Sequence, residues 1–113
     1  MNQVVVKQEK SGYQIVEAYK SLRTNLQFCG EDKKVIAVTS CTPNEGKSSV
    51  SMQLGISLAE SGKRVILIDA DLRKSVLLGR TKTQKSVRGL AHFLSGQATL
   101  EDVICSTNVK NFY

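Results

Sequence analysis

Residues 34–73 read KVIAVTSCTPNEGKSSVSMQLGISLAESGKRVILIDADLR, and this stretch decides the fold. Two short apolar runs, at 34–40 and 63–69, are rich in β-branched residues and predict buried strands. Between them, residues 47–61 carry apolar side chains at helical spacing and are followed by Gly62, which predicts a helix with a glycine stop. Strand, helix and strand at this spacing predict one right-handed βαβ unit with parallel strands.

The flanking segments predict further helices around this unit. Residues 14–28 form an amphipathic stripe of Ile15, Tyr19, Leu22 and Leu26 and are followed by Gly30, so a helix is expected there. Ser11 and Gln14 fit a capping box at its start. The remaining expectations are a polar, weakly ordered lead-in at 1–10, short helices at 86–94 and 99–104, and the start of a third strand at 109–113.

Length and composition bound the class of protein. The chain has 113 residues, which allows at most one domain, and its 41% apolar and 23% charged residues are ordinary for a globular protein. Three scattered cysteines and one histidine favour neither a disulfide scaffold nor a zinc site. No apolar run approaches the ~20 residues of a membrane span, and the N-terminus lacks a secretory signal. We therefore predict a cytoplasmic protein.

The net charge of +6 is concentrated in one part of the chain. Residues 73–88 contain six basic and no acidic side chains. Such a stretch can contact an anionic ligand, an acidic partner or a membrane surface, or it can be an ordinary solvated loop. No aromatic residue interleaves these charges as base stacking would require, so no nucleic acid is expected as a partner.

The loop before the predicted helix has the features of a phosphate site. Its second half matches the pattern GxxxxGK[ST], whereas Cys41 replaces the first glycine. Loop and first-turn amides, together with the helix dipole, attract an anion there. Lys47 can reach β- and γ-phosphates, and the Ser48 hydroxyl suits Mg²⁺. The alternative is an ordinary strand-to-helix turn. The predicted nucleotide-binding residues are Thr42, Pro43, Asn44, Glu45, Gly46, Lys47, Ser48 and Ser49.

Two carboxylates follow the second predicted strand. In a parallel sheet the carboxyl end of that strand lies on the side of the phosphate loop, so Asp69 and Asp71 are expected near the triphosphate. They would repel it unless a cation lies between them, which argues for Mg²⁺ with one carboxylate at the metal and one free to act as a base. The alternative is that both aspartates cap the start of the next helix.

These residues resemble, in order, the motifs of bacterial tyrosine kinases. The loop SCTPNEGKSS resembles their Walker A motif, and VILIDADLR resembles their Walker A′ motif. EAYKSLRTNL resembles their N-terminal helix, and GLAHFLSGQATLEDVI the segment after A′. The resemblance covers roughly residues 11–110. The family belongs to the deviant P-loop ATPases, which include septum-site and plasmid-partition proteins. Those usually have a lysine where Thr42 stands, so the kinase branch is favoured.

The resemblance implies an α/β fold, a P-loop NTPase-like parallel sheet flanked by helices, in one partial domain over 1–113. Within it, 11–29 would be a self-association helix and 34–113 the nucleotide-binding core. The implied function is an autophosphorylating, Mg-ATP-dependent tyrosine kinase that regulates capsular or extracellular polysaccharide synthesis. The implied partners are further copies of the chain and a membrane adaptor of the polysaccharide chain-length control type, which would recruit it to the inner face of the membrane.

The resemblance also assigns roles to single residues. It implies that Lys47 and Ser48 hold phosphates and Mg²⁺, that Asp69 binds metal or deprotonates tyrosine, and that Asp71 supports it. The implied catalytic residues are thus Lys47, Asp69 and Asp71, and the implied metal ligands Ser48 and Asp69. The implied self-association residues are Glu17, Lys20 and Arg23, spaced three apart near one helix face.

Several departures from the family pattern shape the remaining expectations. Asn44 replaces the usual glycine, and Lys20 replaces an arginine, which loses bidentate pairing. The sequence contains neither the family's Walker B motif nor its tyrosine cluster, so this is expected to be an N-terminal portion that is weakly active alone. The other readings are a partition-type ATPase switch and a non-catalytic nucleotide-binding fragment.

Overall fold

A computed structural model describes residues 1–6, 12–30, 32–39, 47–70, 81–83 and 88–113, with 81–83 described by backbone only. Within these ranges the helices are α1 (Tyr13–Phe28), α2 (Lys47–Glu60), α3 (Leu90–Leu94) and α4 (Leu100–Val103). The strands are β1 (Asn2–Val6), β2 (Thr81–Thr83) and β3 (Cys105–Thr107).

Parallel pairing occurs at two places. In the sheet, whose order is β2-β1-β3, β1 runs parallel to β3 and antiparallel to β2. Separately, Val65 pairs in parallel with Phe112. The Val65 amide donates to the Asn111 carbonyl at 2.8 Å, and the Tyr113 amide donates to the Val65 carbonyl at 2.9 Å. The α/β class with parallel pairing is therefore confirmed. The third strand expected to start at 109–113 is reduced to an isolated bridge at Phe112.

The core lies where α2 covers this second pairing. Met52, Ile56 and Ala59 of α2 are buried together with Val6 and Phe112. The Phe112 ring lies directly against Gly55, where an added Cβ would stand 2.6 Å from Cε2 of the ring. A glycine in the middle of α2 thus lets the aromatic ring approach the helix backbone. This contact fixes α2 on the extended segments 65–67 and 111–113.

Three expectations about strands were wrong. The buried strand predicted at 63–69 is an extended segment with one isolated bridge at Val65, and its Ile66 and Ile68 side chains are 50% and 62% exposed. Residues 33–39 have no regular structure, and Val35 is 93% exposed, so the predicted buried strand at 34–40 does not form over its described part. A buried parallel strand needs partners beside it and cover on its faces, and in the described ranges 65–67 pairs with 111–113 instead. Conversely, the lead-in predicted at 1–10 contains β1. Its last residue, Val6, is 3% exposed, and its amide donates to Asn108 Oδ1 at 2.7 Å.

The predicted helices are found with small changes at their ends. Both long helices stop before glycines in the left-handed region, Gly30 (φ +115°) and Gly62 (φ +96°), as expected. The start of α1 differs from the prediction: Gly12 occupies the N-cap position and offers no side chain, and Ser11 lies outside the described residues. Of the helix predicted at 86–94, residues 86 and 87 lie outside the described ranges, and α3 begins only at Leu90, after non-helical Arg88 and the N-cap residue Gly89.

The predicted helix at 99–104 is confirmed as α4. The Asp102 amide donates to Thr99 Oγ1 at 3.3 Å, and the Thr99 amide donates to Asp102 Oδ2 at 3.0 Å. These bonds from the Thr99 backbone and hydroxyl hold the pKa of the Asp102 carboxyl below its ordinary value of 3.8. The carboxylate therefore stays ionised as the acceptor of this capping box.

Candidate nucleotide-binding site

The described part of the candidate site lies at the N-terminus of α2. Lys47 is its first residue and is exposed, and Ser48 and Ser49 follow half-buried. No acidic side chain lies in the first turn, so the positive potential of the helix start is not offset there. The Ser51 hydroxyl donates to the Lys47 carbonyl at 2.7 Å, within the first turn. The other predicted phosphate-binding residues lie outside the described ranges: Thr42, Pro43, Asn44, Glu45 and Gly46.

The backbone brings Asp69 back to this end of α2. The chain turns at 61–62, and the Lys63 amide donates to the Leu58 carbonyl, so the extended segment runs back along the helix. Phe112 contacts Gly55 with its ring and pairs with Val65 through its backbone. Gly55 and Val65 therefore lie at about the same height along the axis of α2.

The lengths of α2 and of the extended segment after it indicate where Lys47 and Asp69 lie relative to each other. From Gly55 to Lys47 the helix rises about 12 Å at about 1.5 Å per residue. From Val65 to Asp69 an extended chain rises about 13 Å at about 3.3 Å per residue. Lys47 and half-buried Asp69 therefore reach the same end of the layer. Asp71 lies outside the described residues, and the catalytic and metal roles of all these residues stay predictions.

The donor set at this end suits the predicted metal. The Ser48 hydroxyl and the Asp69 carboxylate offer oxygen atoms, which Mg²⁺ prefers, and Mg²⁺ usually completes its shell with phosphate and water. Within the described residues, no group of three histidine, cysteine or acidic side chains could hold a metal ion by itself. The oxygen atoms of Ser48 and Asp69 are therefore of the kind that Mg²⁺ binds, and their role as metal ligands stays a prediction.

Within one chain, the three predicted self-association residues make two different kinds of contact, and their role between copies stays a prediction. Lys20 and Glu17 pair with each other at 3.5 Å on the surface of α1. Arg23 instead turns toward α2, where its Nη1 donates to the Ser57 carbonyl at 2.8 Å and to Ser57 Oγ at 3.3 Å. Ser57 is 6% exposed. In the sequence Ser57 is a small residue among the apolar residues of the predicted helix, so the pattern did not identify it as a hydrogen-bond partner of Arg23.

The apolar stripe of α1 is also only partly covered. Tyr19 and Leu26 are half-buried, whereas Ile15 and Leu22 stay exposed. α1 packs on α2 around the Arg23 contact. The predicted stripe therefore divides between the α2 side and the surface.

Replacing Arg23 with alanine is expected to lower the free energy of unfolding by about 1–2 kcal/mol, because hydrogen bonds from charged groups contribute about 1.5–3 kcal/mol and this guanidinium is only half-buried. The measurement is urea denaturation at two protein concentrations. Lys20→Ala is the matched control on the same helix, and its exposed ion pair should contribute little. An unchanged midpoint at one concentration combined with a lower oligomer content would instead assign Arg23 to contacts between copies.

The basic stretch is described at one residue with its side chain. Arg88 Nη1 donates to the Gln97 carbonyl at 2.7 Å, beside α3. Residues 73–80 and 84–87 lie outside the described ranges, and 81–83 form β2. Across the part of the chain that the structure describes, no helix is long and apolar enough to cross a membrane.

Comparison with known proteins agrees with the motifs. Residues 33–113 match the AAA domain family. The tyrosine-protein kinase CpsD of Streptococcus agalactiae is 47% identical over 93 residues, which cover 82% of this chain and 41% of that protein. CpsD of Streptococcus pneumoniae serotype 4 is 44% identical over 97 residues, covering 86% of this chain and 43% of that protein.

A more distant relative gives the same result. The tyrosine-protein kinase YwqD of Bacillus subtilis is 36% identical over 97 residues, covering 84% of this chain and 40% of that protein. The chain thus spans about two fifths of the length of these three relatives. The chain therefore belongs to the AAA domain family, and over most of its length it is similar to part of the bacterial tyrosine-protein kinases named above.

Proposed function

We propose that this chain is the N-terminal part of an autophosphorylating, ATP-dependent protein-tyrosine kinase that regulates capsular or extracellular polysaccharide synthesis. One observation supports the proposal: α2 begins at Lys47, followed by Ser48, and the lengths of the helix and of the extended segment bring Asp69 toward that same helix end. The relatives named as tyrosine-protein kinases, one of them assigned to a cps region in Klebsiella pneumoniae, support the same reaction.

The chemistry follows from the residues at this end. The Lys47 ammonium and the α2 amides would hold the β- and γ-phosphates of ATP. A tyrosine oxygen would attack the γ-phosphorus, the bond to the β-phosphate oxygen would break, and ADP would leave. In this proposal Asp69, supported by Asp71, would take the tyrosine proton. Mg²⁺, held by Ser48 and Asp69 when bound, would neutralise phosphate charge.

The wider role rests on the resemblance. We infer self-association through α1, activation by a membrane adaptor of the chain-length control type, and a cytoplasmic location recruited to the inner membrane face. The 113 residues without a Walker B segment are expected to bind nucleotide but to transfer phosphate poorly, because phosphoryl transfer depends on complete charge stabilisation.

The test is a chimera in which this chain replaces the matching 93-residue segment of Streptococcus agalactiae CpsD. Incubated with Mg²⁺ and ATP, the chimera should form phosphotyrosine, and its Lys47→Ala version should not. Phosphate release without phosphotyrosine would favour a partition-type ATPase switch. A folded chimera that binds ATP but yields neither product would make this chain a non-catalytic nucleotide-binding module.

A further inference from the structure

We propose that Tyr13, the first residue of α1, is a phosphorylation acceptor in this protein. The inference rests on the proposed kinase function and adds to it a modification site on the N-terminal helix. The three tyrosines of the chain are Tyr13, Tyr19 and Tyr113, and the structure separates them by how well a second protein molecule could reach each hydroxyl.

Exposure singles out Tyr13, which is 79% exposed. Tyr19 is half-buried, four residues before Arg23 and so on the side of α1 that meets α2. Tyr113 is also half-buried, and its backbone is bonded on both sides to the segment 65–67. A kinase would have to separate packed elements to reach either of these two, whereas Tyr13 needs no such rearrangement.

The first turn around Tyr13 is also weakly held. The N-cap is Gly12, which provides no side-chain hydrogen bond, and no acidic residue lies in the first turn. The Ile15 and Val16 amides both donate to the Gly12 carbonyl at 3.1 Å. Helix ends without a capping side chain fray readily. The turn can therefore open to present Tyr13 in an extended form without disturbing the contact between Arg23 and Ser57.

The group transfer balances with ATP as the phosphoryl donor. The Tyr13 hydroxyl oxygen attacks the γ-phosphorus of ATP bound to another kinase molecule. The new oxygen–phosphorus bond forms as the bond to the β-phosphate oxygen breaks, and ADP leaves. The phenolic proton passes to a carboxylate of the acting kinase. The product carries a dianion at a helix start, where the dipole favours negative charge.

The ion pair on α1 lies within reach of this modification. Glu17 stands one turn after Tyr13, and a phosphate there would face a like charge. Lys20, paired with Glu17 at 3.5 Å, offsets that repulsion. A phosphate on Tyr13 would thus have the negative charge of Glu17 and the positive charge of Lys20 nearby on α1. The Tyr13 side chain itself remains exposed beside this ion pair.

The experiment mixes the 113-residue chain with the tyrosine-protein kinase CpsD of Streptococcus agalactiae, Mg²⁺ and ATP, under conditions in which that kinase visibly phosphorylates itself. Mass spectrometry then maps phosphotyrosine in the wild-type chain and in the variants Tyr13→Phe, Tyr19→Phe and Tyr113→Phe. The variants are checked for folding by circular dichroism. ATP binding by the wild-type chain is measured separately by calorimetry.

Phosphate on Tyr13, lost in Tyr13→Phe and retained in the other two variants, supports the proposal. Modification mainly at Tyr19 or Tyr113 overturns it, as does an unmodified chain beside an active kinase. The calorimetric arm keeps the two inferences apart: a chain that binds ATP but is not modified at Tyr13 loses the acceptor site alone. A chain modified at Tyr13 that binds no ATP retains the acceptor site and contradicts the nucleotide-binding function.

Discussion

Replacing Lys47 with alanine is expected to weaken Mg-ATP binding about tenfold to a hundredfold. A hydrogen bond from a charged group contributes about 1.5–3 kcal/mol, and each 1.4 kcal/mol or so corresponds to a tenfold change in affinity. Lys47 is exposed at the start of α2, so its removal should cost binding and leave the fold intact. Isothermal titration calorimetry of ATP with Mg²⁺ measures the difference.

Lys63→Ala is the matched control for this experiment. Lys63 is also an exposed lysine next to α2, but it follows the helix C-terminus, at the far end from Lys47. Both variants lower the net charge equally, so a purely electrostatic effect of the +6 chain on an anion would weaken both alike. Equal ATP affinity for the Lys47→Ala and wild-type chains would contradict the assignment of the loop.

Replacing Phe112 with alanine is expected to lower the free energy of unfolding by about 3–5 kcal/mol, the usual cost of truncating a buried aromatic side chain. Phe112 is 2% exposed and contacts Gly55 of α2 while its backbone pairs with Val65. Domains of this size have total stabilities of about 5–15 kcal/mol. Guanidinium denaturation followed by circular dichroism should therefore show a much earlier transition.

The control for this substitution is Phe28→Ala. Phe28 ends α1 and is 84% exposed, so the same loss of a ring should change the midpoint little. A wild-type midpoint for Phe112→Ala would mean that the ring does not fill the space between α2 and the paired segments. The core would then have to be placed elsewhere than on Met52, Ile56 and Ala59.

The helices were predictable because their signals are local. The periodic apolar residues of 47–61 and the left-handed glycine after them specify α2, and Thr99 with Asp102 specifies the start of α4. The Gly-Lys-Ser motif likewise predicted that a helix begins at Lys47, whereas its role in phosphate binding stays a prediction. Such features need nothing from distant parts of the chain.

The strands were less predictable because pairing depends on distant partners. Residues 34–39 have a composition typical of a strand, but in the described structure they have no partner strand, whereas the polar-looking N-terminus pairs with residues 105–107 from the other end of the sequence. The bond from Arg23 to Ser57 spans 34 positions and has the same character. The family resemblance and helical spacing grouped Arg23 with Glu17 and Lys20, whereas its hydrogen-bond partner lies on another helix.

The absence of a side chain at Gly55 limits how the thermal stability of this protein can be raised. Glycine inside a helix lowers stability by about 0.5–1 kcal/mol relative to alanine. A Gly55→Ala substitution in α2 would therefore ordinarily be expected to stabilise the protein. At this position the methyl group would collide with the aromatic ring that anchors the second layer. A stabilising substitution is therefore better placed elsewhere, for example at the start of α1, whose N-cap residue Gly12 provides no side-chain hydrogen bond. In α2 the lower helix propensity of glycine is the cost of the close contact with the Phe112 ring.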